Sequence, residues 1–144
     1  MTHEDKGHYS GKHPSGLKAK PEIIEAVKRL DLKGEISCAA AHQIAEDLKV
    51  SPSEVGLGID LLEINIVKCQ LGLFGYRPKK KMIQPAETVS PALEKNIRDS
   101  MIEKRLSCEA AWKIAGRLQI GKMEVSAACE SITVKISPCQ LGAF

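Results

Sequence analysis

Aromatic residues are nearly missing from this chain: one Trp, two Tyr and two Phe make up 3% of 144 residues. So few rings exclude a stacking platform for single-stranded bases and leave a core of aliphatic side chains and alanine, which favours close-packed short helices over a broad sheet. Long hydrophobic runs are also lacking. No apolar stretch is long enough to cross a bilayer, and nothing near Met1 has the layout of a signal peptide, so a cytoplasmic protein is expected. Catalytic signatures are absent as well. There is no nucleophile elbow, phosphate-binding glycine loop, dinucleotide fingerprint or HExxH helix, and no recognisable framework places paired carboxylates. The expectation is a protein that is not an enzyme, with no cofactor and no evident small-molecule substrate.

What the chain does have is enough apolar residue, 43%, to build one medium core or two small ones. It also has an internal repeat. Without a gap, residues 21–74 align on residues 91–144, and roughly 16 of those 54 positions are identical. The shared residues include Ser37-Cys38 with Ser107-Cys108, Ile44-Ala45 with Ile114-Ala115, Glu54-Val55 with Glu124-Val125, and Cys69-Gln70-Leu71-Gly72 with Cys139-Gln140-Leu141-Gly142. Most are small or apolar, as positions inside a repeated fold would be.

Within the first copy, Ile23, Val27 and Leu30 mark one face of a helix from Pro21 to Leu30; Leu93, Ile97 and Met101 repeat it. Ala41, Ile44, Ala45 and Leu48 mark a second helix, and Val55, Ile59 and Leu62 a third. The break at Val50-Ser51-Pro52-Ser53 puts a serine before a proline, the order of an N-cap followed by a first helical turn. Glu35-Ile36-Ser37 before the second helix and the β-branched Ile64–Cys69 after the third predict two short strands paired as a hairpin. The fold class expected is therefore mainly α: two tandem three-helix units, each with a short β-hairpin. The domain plan is a flexible His/Lys/Gly tail over 1–20, a first repeat over 21–76, a basic linker over 77–84 and a second repeat over 85–144.

The stretch IAEDLKVSPSEVGLGIDLLEINIV resembles the helix-turn-helix core of winged-helix proteins, and IAGRLQIGKMEVSAACESITVKI resembles it less closely. The whole chain is also similar to bacterial two-copy proteins that end each unit in CQLG and a phenylalanine. The winged-helix resemblance implies DNA binding, with the third helix in the major groove and Arg, Lys, Asn or Gln on base edges. The outward positions of the first third helix are instead Ser53, Glu54, Gly56, Leu57, Asp60 and Glu63, three of them acidic. The second copy presents Lys122, Met123, Glu124, Ser126, Ala127, Glu130 and Lys135, so this copy is the expected reader.

Formal charge separates the regions: about +2 to residue 20, −4 over 21–76, +4 over 77–81 and +1 over 82–144, which sums to the net +3. Candidate phosphate contacts are Arg77, Lys79, Lys80 and Lys81 in the linker, Lys113 and Arg117 one turn apart on a helix of the second repeat, and Lys122. The functional expectation is a DNA-binding regulator of transcription acting through its second repeat and linker on double-stranded DNA. The alternative is a protein-interaction adaptor that uses the acidic, Leu57-bearing surface of the first repeat.

Five cysteines, an odd number in an expected reducing compartment, read as thiols rather than a disulfide framework. Pairing of the short strands would bring Cys38 near Cys69, with His42 a turn away. The second repeat has Cys108, Cys139 and Trp112 there, so the histidine is not repeated, and no CxxC pair supplies chelating spacing. Buried structural thiols are expected and no metal site, with Cys129 standing in for Ile59 in the core. His3, His8 and His13 lie in the tail, without an ordered acidic or cysteine partner in prospect.

Overall fold

The computed structural model describes residues 18–77 and 81–143. Most of the tail with its three histidines, Pro78, Lys79, Lys80 and Phe144 lie outside those residues. Over the described part the protein is mainly helical, with six helices and four short strands. The first set is α1 (Pro21–Leu30), β1 (Glu35–Ser37), α2 (Cys38–Leu48), α3 (Pro52–Leu61) and β2 (Asn65–Val67). The second is α4 (Pro91–Ser100), β3 (Arg105–Leu106), α5 (Cys108–Leu118), α6 (Lys122–Ser131) and β4 (Lys135–Ile136), and every one of these elements stands 70 residues after its counterpart.

Serines set the helix starts. Ser37 and Ser107 cap α2 and α5, their hydroxyls accepting from Ala40 N at 3.1 Å and Ala110 N at 3.0 Å. Each satisfies one of the donors that a first helical turn leaves without a partner. Ser51 caps α3 in a reciprocal box: its Oγ accepts from Glu54 N at 3.3 Å while Glu54 Oε2 accepts from Ser51 N at 3.0 Å. That backbone hydrogen bond, with Lys20 nearby, holds the Glu54 carboxyl below its usual value. α2 and α5 both stop at a left-handed residue, Lys49 at φ 55° and Gln119 at φ 56°. The chain then turns straight into α3 and α6.

The strands do not form the expected hairpins. β1 and β2 pair in parallel with Ile36 opposite Ile66, and β3 and β4 do the same with Leu106 opposite Ile136. The reason is topological. Two helices intervene between the partners and return the chain to the start of the first strand, so the second strand runs in the same direction, and a tight turn cannot join parallel neighbours. A small antiparallel bridge sits elsewhere, between Leu32 and Glu35 and again between Ile102 and Arg105. Its central residues are all at positive φ, Lys33 and Gly34 in the first copy and Glu103 and Lys104 in the second, the backbone of a tight type I′-like turn.

The chain divides into two compact units, and the division is not linear. The first comprises residues up to Cys69 together with Gln140–Phe144; the second comprises Gln70–Cys139. In the first, α1 and α2 pack on α3. Its core is Ile23, Val27, Ile36, Ala41, Ile44, Val55, Ile59, Ile64 and Ile66, joined by Leu141. Leu30, expected inside, is 41% exposed at the end of α1. In the second, α4 and α5 pack on α6 over Leu93, Ile97, Leu106, Ile114, Val125, Cys129, Val134 and Ile136, joined by Leu71. Burial pushes the Cys129 thiol up to about 11, with the Glu130 charge adding to the effect.

Candidate nucleic-acid interface

A major-groove reader needs one long face of its recognition helix open to base edges. On α3 that face is covered. Gly56 is buried with its Cα so close to the chain at Leu141 that a Cβ would lie 1.9 Å from the Leu141 carbonyl oxygen. One turn on, Asp60 is 1% exposed. Gly56 and Asp60, expected to point outward, therefore belong to the interior of the first unit, and Leu57 is half-buried. Ser53 and Glu63 are exposed, and Glu54 is engaged in the N-cap.

On α6 the same face carries a strap made of the end of the basic linker and the residues after it. Lys81 Nζ bonds the Glu130 carboxylate, Met82 N donates to Gly72 O at 2.8 Å, and Ala86 N donates to Ala127 O at 3.0 Å. Ile83 is buried, its methyl lying 2.8 Å from where a Gly72 Cβ would stand, so only glycine, here at φ 73°, lets the two segments approach. Ser126, taken as outward-facing, is fully buried, and its Oγ has no hydrogen-bond partner among the described residues. Ala127 and Glu130 are half-buried. Met123 and Glu124 at the start of α6 are exposed, but the face beyond them closes at Ser126.

The basic candidates are scattered and locally engaged. Arg77 is exposed at the edge of the described segment, and Lys79 and Lys80 lie outside it. Lys81 faces Glu130 as above. Lys113 pairs with Glu109 at 3.0 Å along α5. Arg117, one turn on, donates to Asn96 Oδ1 at 2.7 Å and so ties α5 to α4. Lys122 lies over the Trp112 ring, 4.6 Å from its centroid, a cation–π contact at the start of α6. Glu130 and Lys122 are eight residues apart on one helix, about 12 Å along its axis. Lys81 and Lys122 therefore lie at opposite ends of α6 and do not form one tight pair of cations.

Cys38, Cys69, Cys108 and Cys129 are buried and Cys139 is half-buried, all outside disulfides. Among the described residues no group of three or more His, Cys, Asp and Glu side chains is arranged to hold a metal ion, so Cys38, Cys69 and His42 do not make such a set. No described helix is long and apolar enough to cross a membrane.

Two features escaped sequence reasoning. The strap had a signal in Met82-Ile83, an apolar pair inside an otherwise polar linker. The other is the pair of tight turns after α1 and α4. At their starts stand the two most exposed large apolar side chains among the described residues, Leu32 at 76% and Ile102 at 77%, in equivalent positions of the repeat. Lys33-Gly34 was the clue in the first copy; Glu103-Lys104 offered none. Comparison with protein-family models, curated proteins and solved structures finds no match to this chain.

Proposed function

We propose that this chain is a protein-interaction module whose contact points are the two turn tips, Leu32 and Ile102, rather than a reader of DNA sequence. One observation carries the reading: an aliphatic side chain is held in water at the same position of both repeats, on a turn whose backbone is fixed by two central residues at positive φ. Single exposed aliphatic residues are ordinary on protein surfaces. Here the exposure is duplicated on a structure that spends left-handed, non-glycine backbone at Lys33, Glu103 and Lys104 to hold it. A rigid apolar tip loses little freedom when it enters a partner's pocket, so more of the burial remains as affinity. Against groove reading stand the covered faces of α3 and α6 and the carboxylate partners of Lys81 and Lys113. What remains for DNA is contact with phosphates, which carries no sequence information.

Photo-crosslinking in cells of origin tests the reading. A photoreactive side chain replacing Leu32 or Ile102 should give discrete protein adducts, whereas the same group at Glu46 or Gly116, exposed on the second helices, should not. A titration against random and selected duplexes at two salt concentrations runs beside it. Absence of adducts at both tips, with tight binding to one duplex sequence, would reverse the assignment in favour of a DNA-binding regulator.

A further inference from the structure

The sequence repeat and the structural units do not end at the same place. Each repeat closes with Cys-Gln-Leu-Gly, one variable residue and Phe, at 69–74 and 139–144. The first unit stops at Cys69 and takes up Gln140–Phe144; Gln70 onward belongs to the second. The closing segment of each repeat is therefore built into the unit formed by the other.

These segments are part of the cores they join. Leu71 is fully buried in the second unit, and Leu141 and Ala143 are 1% and 3% exposed in the first. In the first unit the seat is cut for the segment: Gly56 leaves out a side chain where the Leu141 carbonyl lies. In the second, Gly72 nests against Ile83 and Met123, and its carbonyl accepts from Met82 N. Both segments present Gln-Leu-Gly, and both units receive the segment with one leucine buried.

We propose that the covered face of each unit is a recognition site for a Gln-Leu-Gly turn whose glycine is at positive φ, filled reciprocally within one chain and able to take the same segment from a second copy. Burial of the leucine supplies the attraction, and in the first unit the missing side chain at Gly56 leaves room for the Leu141 carbonyl to approach the helix. Nothing in that chemistry distinguishes a segment of the same chain from one of another. Two single repeats exchanging their ends would make the same pair of units that this chain makes with both repeats covalently joined.

A nick tests the exchange. The full chain is given a protease site between Pro78 and Lys81, folded and then cut. Each fragment still holds the segment that completes the other's unit, so the cut protein should elute at the mass of the intact chain in native buffer and fall apart only in denaturant. Separation into halves in native buffer would overturn the proposal. For recognition in trans, a labelled peptide of residues 137–144, kept reduced, is titrated onto the full chain carrying Leu141→Asp. Saturable binding is expected, reduced at least tenfold when Gly56→Ser is added. A folded Leu141→Asp chain that ignores the peptide would refute the site. If that variant does not fold, the wild-type chain mixed with a tagged copy through partial denaturation and back should yield tagged–untagged dimers, and their absence would count equally against it.

Discussion

The two units use one order of elements and differ most along their third helices. In α3 the buried face reads Gly56, Gly58, Ile59 and Asp60; at the same places α6 has Ser126, Ala128, Cys129 and Glu130. A Cβ at position 58 would come within 2.8 Å of Ile23, so α1 lies against bare backbone in the first unit, whereas the second accommodates the Ala128 methyl beside α4. Position 56 has room for no side chain, yet position 126 holds a serine. The closing segments therefore cannot be seated identically: backbone meets backbone in the first unit, while in the second a strap lies across the helix as well. The lesson is that a repeat can keep its periodicity while its most buried face is recut for whatever covers it.

The sharpest way to break this comparison is at those two positions. Gly56→Ser should drive the Leu141 segment off its seat and lower stability by about 3 kcal/mol, read by urea unfolding. Ser126→Ala, which removes a buried hydroxyl without a partner, should raise it by about 1 kcal/mol. Equal effects at both positions would mean that the units do not differ there. Next in size is the alkaline effect of Cys129, a residue of the second unit whose place in the first is held by Ile59. The folded thiol titrates at about 11 and the unfolded one at its ordinary 9.0, so between those values the folded chain keeps a proton that the unfolded chain releases. Stability from this group is whole below pH 9.0 and is lost as pH rises towards 11, roughly 2 kcal/mol of it. Cys129→Ala should flatten that part of the pH profile, whatever it does to stability at neutral pH. A slope unchanged in the variant would locate the alkaline loss elsewhere.

The smallest effect sharpens the comparison at the helix starts. α3 has a full capping box from Ser51 and Glu54, but α6 begins at Gly121, which offers no side chain and only donates its N–H to Glu124 Oε1 at 3.4 Å. Ser51→Ala should cost about 1 kcal/mol, and Gly121→Ser should gain a few tenths. Thermal melts would register the first as a clear drop and the second as a shift at the edge of detection; a loss in both would mean that the Gly121 backbone needs its glycine.

Local signals explain why so much of the fold was legible. Helix α1 follows from Pro21 and the spacing of Ile23 and Val27, the α2–α3 turn from Ser51-Pro52, and β1 from the alternation at Glu35–Ser37. Strand direction was misread because it depends on the path of two intervening helices, not on the strands' own residues. The outward face of the third helices was misread for a related reason. Periodicity tells which residues share a face, but Gly56 is covered by Leu141, 85 residues on, and the burial of Asp60 and Ser126 is likewise not announced by small or polar residues. Of the candidate site, Lys113, Arg117 and Lys122 were placed on the correct helices. Their partners Glu109, Asn96 and Trp112 were not foreseen, since each depends on rotamer or on packing between helices.

The exchange of closing segments also fixes an order of events during synthesis. Residues 56 and 141 are 85 positions apart (141 − 56), so at about 5–20 residues per second the ribosome needs several seconds to a quarter of a minute to deliver the segment that covers α3. During that interval the Gly56 face of the first repeat lacks the segment that covers it in the finished chain. The second unit, contiguous from Gln70 to Cys139, has its own Leu71 in hand before its last strand is made. The half made first is thus the half completed last, and for those seconds it is a surface that a chaperone, or the end of a neighbouring nascent copy, can reach.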